Sequence, residues 1–286
     1  MKFGICGNAL LGHNPTAREV IQAAQLAEKI GYHSIVVGDH VLTPNEFDDS
    51  NYPAGTFDSA VPWYDVFIFL ATIAGATTTI RLGTGIAVVP YRPPVQQAQT
   101  ISTLDFLSEG RFFYGAGVGW MREEFEALGI PFQERGPRTD EYLEAMKSLL
   151  SGTGEGFDGR FVQFPGVRLS PLPAQKPHPP IIIGGETQPA MRRIAKYGDG
   201  FYINWKTVPE LERFLAELAV HMATNQRDMS SLYKQVAITD IASIRAEKDR
   251  LSEYGAMGVD ELIFVPKCHS PQEGLDVMKA FADEFF

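Results

Sequence analysis

The chain has 286 residues, of which 44% are hydrophobic and 21% charged, and its formal net charge is −10. This length and composition suffice for a buried core without disulfides, and the negative charge argues against a nucleic-acid partner, since phosphate backbones attract basic patches. No apolar run approaches the roughly 18 residues of a membrane span, and the first residues are typical of a strand rather than a signal peptide. With only two cysteines, Cys6 and Cys268, we expect reduced thiols, no membrane partner and a cytoplasmic location.

Short β-branched runs alternate with longer segments of helical periodicity, which is typical of a parallel sheet. The predicted strands are residues 3–7, 34–38, 80–90, a run that begins at 111, 180–184, 200–204, 235–240 and 261–266. The predicted helices are residues 16–30, 64–76, 95–107, 123–128 with 139–150, 189–197, 209–225, 243–257 and a last one that closes the chain. Two segments break the alternation, a loop rich in Pro, Asp, Asn and Gly at residues 41–61 and an irregular stretch at residues 151–179.

Eight strands alternating with helices predict a (β/α)₈ TIM barrel, formed by a single domain over residues 1–286, with an irregular excursion between strands four and five. The competing architecture is an open, doubly wound sheet. That fold normally carries G-x-G-x-x-G after its first strand, and the sequence GICGNALLG at this position lacks the spacing.

Polar residues with catalytic potential follow the predicted strand ends, where barrels of this type build their sites. Asp39 and His40 follow strand two, and an acid beside an imidazole can position a proton donor. The alternative is that Asp39 tethers the next loop and His40 only packs. His13, after strand one, could line the same mouth. The six histidines lack the spacing of metal ligands, so no metal site is predicted.

Strand five ends in the sequence IIIGGETQPAM. Gly184 and Gly185 allow a ligand close to the backbone, and a helix begins at once with Thr187 or Gln188 as its cap. Exposed N–H groups and the helix dipole favour a phosphate there. The alternative is an ordinary strand-to-helix turn.

Strand four is followed by the glycine-rich sequence GAGVGWMREEF. Trp120 could stack on a ring or wall off a pocket, or it could pack beneath the next helix. Trp63 and Trp205 fall on the same side of the predicted barrel. Glu123 and Glu124 could serve as acids, but adjacent glutamates that start a helix more often interact with its dipole.

Four stretches, in this order, resemble the bacterial luciferase-like family of flavin- and deazaflavin-dependent oxidoreductases. They read AAQLAEKIGYHSIVVGDHV, IRLGTGIAVVPYRPP, LSEGRFFYGAGVGWMREEFEALGIPFQERG and PPIIIGGETQPAMRRIAKYGDGFY. Together they cover most of residues 1–205. The third is most similar to the branch that depends on coenzyme F420.

The resemblance implies a role for each strand end. His40 would lie near the reactive edge of the flavin or deazaflavin ring, and a cis peptide bond between Gly85 and Ile86 would lie behind it. The cofactor phosphate would rest on the backbone of residues 185–187. The residues expected at the cofactor are Asp39, Gly85, Ile86, Gly117, Gly184, Gly185, Glu186 and Thr187. The residues expected around the substrate are His13, Trp63, Trp120 and Trp205.

One departure from the family pattern concerns the acidic proton donor of the deazaflavin sugar-phosphate dehydrogenases. That donor follows the strand-four glycines, where this chain has Trp120. The difference argues against a sugar phosphate as substrate, and it leaves His40 as the candidate acid–base residue.

These observations predict an oxidoreductase that transfers hydride between coenzyme F420 and a small organic substrate. The first alternative is an FMN-dependent monooxygenase that uses reduced flavin and O₂ on the same fold. The second is a non-catalytic flavin-binding protein, because a fold does not dictate activity. The resemblance, together with the apolar helices predicted at residues 64–76 and 95–107, also predicts a homodimer.

Overall fold

The computed structural model describes residues 1–44, 62–204, 207–238 and 251–286, and its fold is a closed parallel barrel surrounded by helices. The strands are β1 Lys2–Cys6, β2 Ser34–Val37, β3 Arg81–Thr84, β4 Ala87–Val88, β5 Phe112–Gly117, β6 Phe157–Asp158, β7 Gln163–Phe164, β8 Ile181–Gly184, β9 Gly200–Asn204, β10 Tyr233–Ile238 and β11 Glu261–Phe264. The α-helices are α1 Gly7–Leu11, α2 Ala17–Ile30, α3 Val66–Ala76, α4 Pro94–Leu107, α5 Arg122–Ala127, α6 Arg135–Ser151, α7 Gln188–Tyr197, α8 Val208–Thr224, α9 Leu251–Ala256 and α10 Pro271–Phe285.

The barrel closes because β3 pairs with both β2 and β5. Around it the order is β3, β2, β1, β11, β10, β9, β8, β5 and β4, and each pairing is parallel. Since β3 and β4 form one barrel strand interrupted by two residues, the described chain builds eight barrel strands. The predicted fold class is therefore confirmed.

Local sequence signals fix several element ends. Thr16 caps α2 through a capping box with Glu19, and Gly31 ends that helix in the left-handed conformation at φ 108°. One feature was not predicted: the short helix α1 begins directly after β1. None of the helices in the described segments is long and apolar enough to cross a bilayer.

The excursion predicted between the fourth and fifth barrel strands is present and contains an antiparallel hairpin, β6 with β7. Glu141 on α6 holds it in place, because its carboxylate accepts hydrogen bonds from the backbone N–H groups of Arg160, Phe161 and Val162. The excursion thus lies against α6, outside the barrel wall.

Apolar side chains fill two layers. The larger layer packs the outer face of the strands against the helices. A smaller cluster fills the barrel interior and takes one side chain from each of five strands, namely Cys6, Val36, Phe113, Ile182 and Ile263. We call the C-terminal ends of the strands the mouth and the N-terminal ends the floor.

Candidate functional site

The predicted site residues gather at the mouth, because parallel strands end at the same edge of the barrel. The described ones follow β1, β2, β3, β5 and β8 and are His13, Asp39, His40, Trp63, Gly85, Ile86, Gly117, Trp120, Gly184, Gly185, Glu186 and Thr187. Trp205 lies outside the described residues. The structure separates the others into an aromatic cluster around His40, a bulge at residues 85–86 and a turn at residues 184–187.

His40 lies between two tryptophans. Its ring centroid is 4.5 Å from that of Trp63 and 5.4 Å from that of Trp120, both in edge-to-face geometry. The side chain of His40 is only 11% exposed, and its Nδ1 lies 3.0 Å from an Oε2 atom of Glu124. The sequence thus identified three side chains that the fold brings together in one cluster.

Glu124 is the functional candidate that the sequence reasoning set aside. It is fully buried, and its carboxylate also accepts hydrogen bonds from the hydroxyl of Tyr91 at 2.6 Å and the backbone N–H of Val41 at 2.6 Å. Burial and this bond to Glu124 raise the pKa of Tyr91, so the phenol stays a donor. The spacing contained a signal: Glu124 is buried together with Phe125 on α5 and with Met121, the residue that caps this helix, and a buried acid requires partners.

Asp39 is buried and ion-paired. Its carboxylate accepts two hydrogen bonds from Arg92, at 2.7 and 2.9 Å, and one from the backbone N–H of Val88 at 3.0 Å. Burial lowers the pKa of Arg92, but the hydrogen bonds and charge of Asp39 outweigh it and raise that pKa. Asp39 therefore ties the end of β2 to β4 and the segment after it, and its contact with a cofactor stays a prediction.

The bulge between β3 and β4 contains a cis peptide bond between Gly85 and Ile86, as predicted. Both residues are half-buried, whereas their neighbours Thr84 and Ala87 are buried. A Cβ atom added at Gly117 or at Gly184 would overlap the Ile86 side chain. The bulge thus directs Ile86 across the barrel mouth, and the two glycines on β5 and β8 leave the space that it occupies.

The turn after β8 has the geometry of an anion site. Gly185 is exposed with φ 112°, and the Thr187 side chain caps α7 by accepting from the N–H of Ala190 at 3.4 Å. The first turn of α7 carries no acid, and the Glu186 carboxylate accepts from the backbone N–H of Asn204 at 2.9 Å. The N–H of Gly185 donates to the carbonyl of Tyr202, so this group is engaged within the protein, and the phosphate contact expected at residues 185–187 stays a prediction.

His13 also lies at the mouth, but it contacts His269 rather than the aromatic cluster around His40. Its ring meets that of His269 edge-to-face at 5.6 Å, and its backbone N–H donates to the His269 carbonyl. The pairing follows from the closed barrel, in which β1 is next to β11. His13 therefore lies at β1 and β11, two and three strands from the bulge, and its contact with substrate stays a prediction.

Comparison with known proteins identifies the family. The luciferase-like monooxygenase family matches residues 1–273, and an uncharacterized protein of Mycobacterium tuberculosis is 31% identical over 252 residues, 85% of each chain. The oxygenase component of a flavin-dependent trigonelline monooxygenase from Acinetobacter baylyi is 31% identical over 170 residues, 57% of this chain and 41% of its own. The fold matches an F420-dependent secondary alcohol dehydrogenase, solved with an F420–acetone adduct, with a TM-score of 0.76 at 16% identity over 100% of both chains. This chain therefore belongs to the luciferase-like family, whose members are oxidoreductases and monooxygenases.

Proposed function

We propose that the protein transfers hydride between coenzyme F420 and a small organic substrate at the barrel mouth. The observation that carries the proposal is the His40 cluster, a histidine bound to a buried carboxylate and enclosed by Trp63 and Trp120. The stretch around Trp120 supports F420 as the cofactor, since it is most similar to the F420-dependent branch of the family.

The residues present fit a tricyclic cofactor with a phosphate. The half-buried Ile86 and the backbone of Gly85 give the ring a surface to lie against. Thr187 caps a helix whose positive end faces the mouth, where a phosphate is stabilised. When bound, the deazaflavin supplies the ring carbon that accepts or donates hydride.

His40 is placed to move the proton that accompanies the hydride. Because a carboxylate only accepts hydrogen bonds, the Glu124 contact favours a proton on Nδ1 of the neutral ring. Nε2 is then the basic nitrogen. For a substrate alcohol, Nε2 takes the hydroxyl proton as the hydride leaves the adjacent carbon, and it returns that proton in the reverse direction.

The second candidate function is an FMN-dependent monooxygenase. Its support is the 31% identity to the oxygenase component of a flavin-dependent trigonelline monooxygenase. The same bulge and phosphate turn suit FMN, so the two candidates differ in cofactor and oxidant rather than in the residues that hold them.

Titration with each cofactor separates the two. The purified chain is titrated with F420 and with FMN, and the fluorescence of each ring is followed. We expect saturable binding of F420 that is at least tenfold tighter than that of FMN. Analogues without phosphate, deazariboflavin and riboflavin, serve as controls for the turn at residues 184–187. Tighter binding of FMN would overturn the F420 assignment and favour the monooxygenase.

A further inference from the structure

The floor of the barrel contains a cavity, at the opposite end from the mouth. It has a volume of about 320 Å³ and is lined by residues at or just before the starts of β3, β5, β8, β9, β10 and β11. Pockets that hold small molecules start at roughly 300 Å³. The cavity is therefore large enough for a ligand with a single ring.

Arg81 supplies a positive charge and unfilled N–H donors to this cavity. Its guanidinium lies 5.3 Å from the ring centroid of Phe113, and the described residues offer its side chain no hydrogen bond and no ion pair. A guanidinium has five N–H donors in a planar fork that matches a carboxylate. The donors of Arg81 are thus available to an anionic ligand.

The acidic residues of the same lining are already engaged. Asp199 accepts a hydrogen bond from the backbone N–H of Ile181 at 2.9 Å, and Asp260 accepts one from that of Lys234 at 2.8 Å. Their carboxylates hold neighbouring strands at the start of the sheet pairing. These two carboxylates thus have donors within the protein, whereas Glu261 acts on Arg81 only through its charge. The guanidinium of Arg81 keeps N–H donors for an acceptor group on the occupant, and a carboxylate matches that fork.

Deeper in the floor, polar atoms remain unsatisfied. Gln235 is 1% exposed, its amide nitrogen donates to Glu261, and its Oε1 has no partner among the described residues. The hydroxyl of Tyr233, a lining residue, reaches the same carboxylate of Glu261. His33 Nε2 is also buried without a partner in the described chain. Such atoms are uncommon in native cores, and each calls for a water or a ligand.

We propose that the floor cavity binds a small aromatic carboxylate, with Arg81 as the partner of the carboxylate group. Phe113 and Tyr233 are among the lining residues, and aromatic side chains suit an aromatic body. This site is separate from the cofactor mouth, and the proposal does not depend on which cofactor binds there.

Calorimetry with benzoate as the probe tests the proposal. We expect benzoate to bind the full-length protein and the R81Q variant to bind it at least tenfold more weakly. Benzamide has the same ring without the charge, so its weaker binding should be the same in both proteins. Arg18→Gln removes a charge from the exposed face of α2 and should leave benzoate binding unchanged.

A titration of His33 by NMR reports the position of the ligand. Burial and the charges of Lys2 and Arg81 lower the pKa of His33 to about 4. Benzoate bound at Arg81 offsets part of this positive charge, so the pKa of His33 should rise when benzoate is present. An unchanged His33 titration would place the benzoate elsewhere and contradict the site.

A second variant keeps the test decisive if R81Q does not fold. Ser230 is exposed and lines the cavity, and Ser230→Phe should fill the space and abolish benzoate binding. The proposal is overturned if benzoate does not bind the wild-type protein, or if its affinity is unchanged in R81Q or in the Ser230→Phe variant.

Discussion

At the scale of single residues, His40 is the central group of the site, because it is enclosed by Trp63 and Trp120 and hydrogen-bonded to Glu124. We expect His40→Ala to keep cofactor affinity and to lose turnover by about 10²–10⁴-fold, the usual size of an acid–base contribution. Steady-state kinetics and cofactor titration on the same preparation measure both. His178→Ala, at the floor end just before β8, is the control. Full turnover in the His40 variant would assign the proton transfer to another group.

Glu124 should act through His40 rather than on the substrate. Glu124→Gln keeps the shape of the side chain but replaces one of its two acceptor oxygens by an N–H donor, so the donors around it no longer all find an acceptor. A buried donor left unsatisfied costs about 1–3 kcal/mol, which corresponds to a roughly 10–100-fold lower kcat if the cost falls on the transition state. We also expect the variant to have a smaller share of the His40 tautomer that is protonated on Nδ1. Nitrogen-15 NMR of His40 measures this share. Glu126→Gln, at an exposed position of the same helix, makes the same change in net charge. If the tautomer population of His40 is the same in the Glu124→Gln variant and in the wild type, Glu124 does not orient His40 and only packs against it.

At the scale of single elements, the turn that opens α7 depends on a glycine. Gly185 has φ 112°, and a Cβ there would lie 3.3 Å from that of Ala190. A β-branched residue in this conformation costs about 1–2 kcal/mol, so Gly185→Val should weaken cofactor binding by roughly tenfold. Gly31→Val is the matched control, because Gly31 has φ 108° with open space around it at the floor end of α2. Equal cofactor affinity in the two variants would show that the turn at Gly185 does not contribute to cofactor binding.

The segment that leads into β3 is held by a single carboxylate, that of Glu28. Glu28 on α2 accepts hydrogen bonds from the backbone N–H groups of Thr78, Thr79 and Ile80, immediately before β3. Burial raises the pKa of Glu28, but these donors outweigh it and lower that pKa from 4.5 to about 2. The carboxylate therefore stabilises the fold above pH 4.5, and this contribution is lost as the pH falls toward 2.

Urea unfolding at pH 7 and pH 3 measures this contribution. We expect Glu28→Gln to lower the free energy of unfolding by roughly 1 kcal/mol at pH 7, since solvent screens the partly exposed group. The difference from wild type should shrink at pH 3. Glu212→Gln, on the exposed side of α8, should match wild type at both values. A difference that stays constant with pH would mean that the charge of Glu28 is not the cause.

At the scale of the whole molecule, the neighbouring helices α3 and α4 expose no charged side chain. α3 contains no charged residue, and the only charged residue of α4, Asp105, is buried. Ile68 is 71% exposed, and Phe106 and Leu107 are 55% and 58% exposed. Exposed apolar patches of this kind mark interfaces, so we propose that α3 and α4 pair with the same helices of a second copy.

Light scattering after size exclusion tests the homodimer. We expect a wild-type dimer and a monomeric Ile68→Glu variant, because a two-fold interface would bury the new charge twice. Val220→Glu is the control, since Val220 is 66% exposed on α8, away from this face. A wild-type monomer at every concentration would refute the dimer, and dissociation of the Val220 variant would place the interface elsewhere.

Much of this site could be predicted from local sequence patterns. The strand-end motifs placed His40 and the turn after β8, since chain order and strand direction bring such ends to one edge, and the resemblance to the family placed the bulge at Gly85 and Ile86. The pairing of Asp39 with Arg92 and the burial of Glu124 were not predicted. Each joins groups that are 53 or 84 residues apart in the chain, and a pattern of nearby residues contains no record of such contacts.

The sequence by itself determined the class of fold, the order of the elements and the edge that carries the site, because hydrophobic periodicity, glycine turns and strand direction are properties of neighbouring residues. Tertiary structure decided which groups face each other. Whether Glu123 or Glu124 turned inward, whether Arg81 found a partner, and whether Gly117 made room for a ligand or for Ile86 all depended on packing across the closed barrel. Burial sets the cost of an unpaired charge, and burial exists only once the strands have closed.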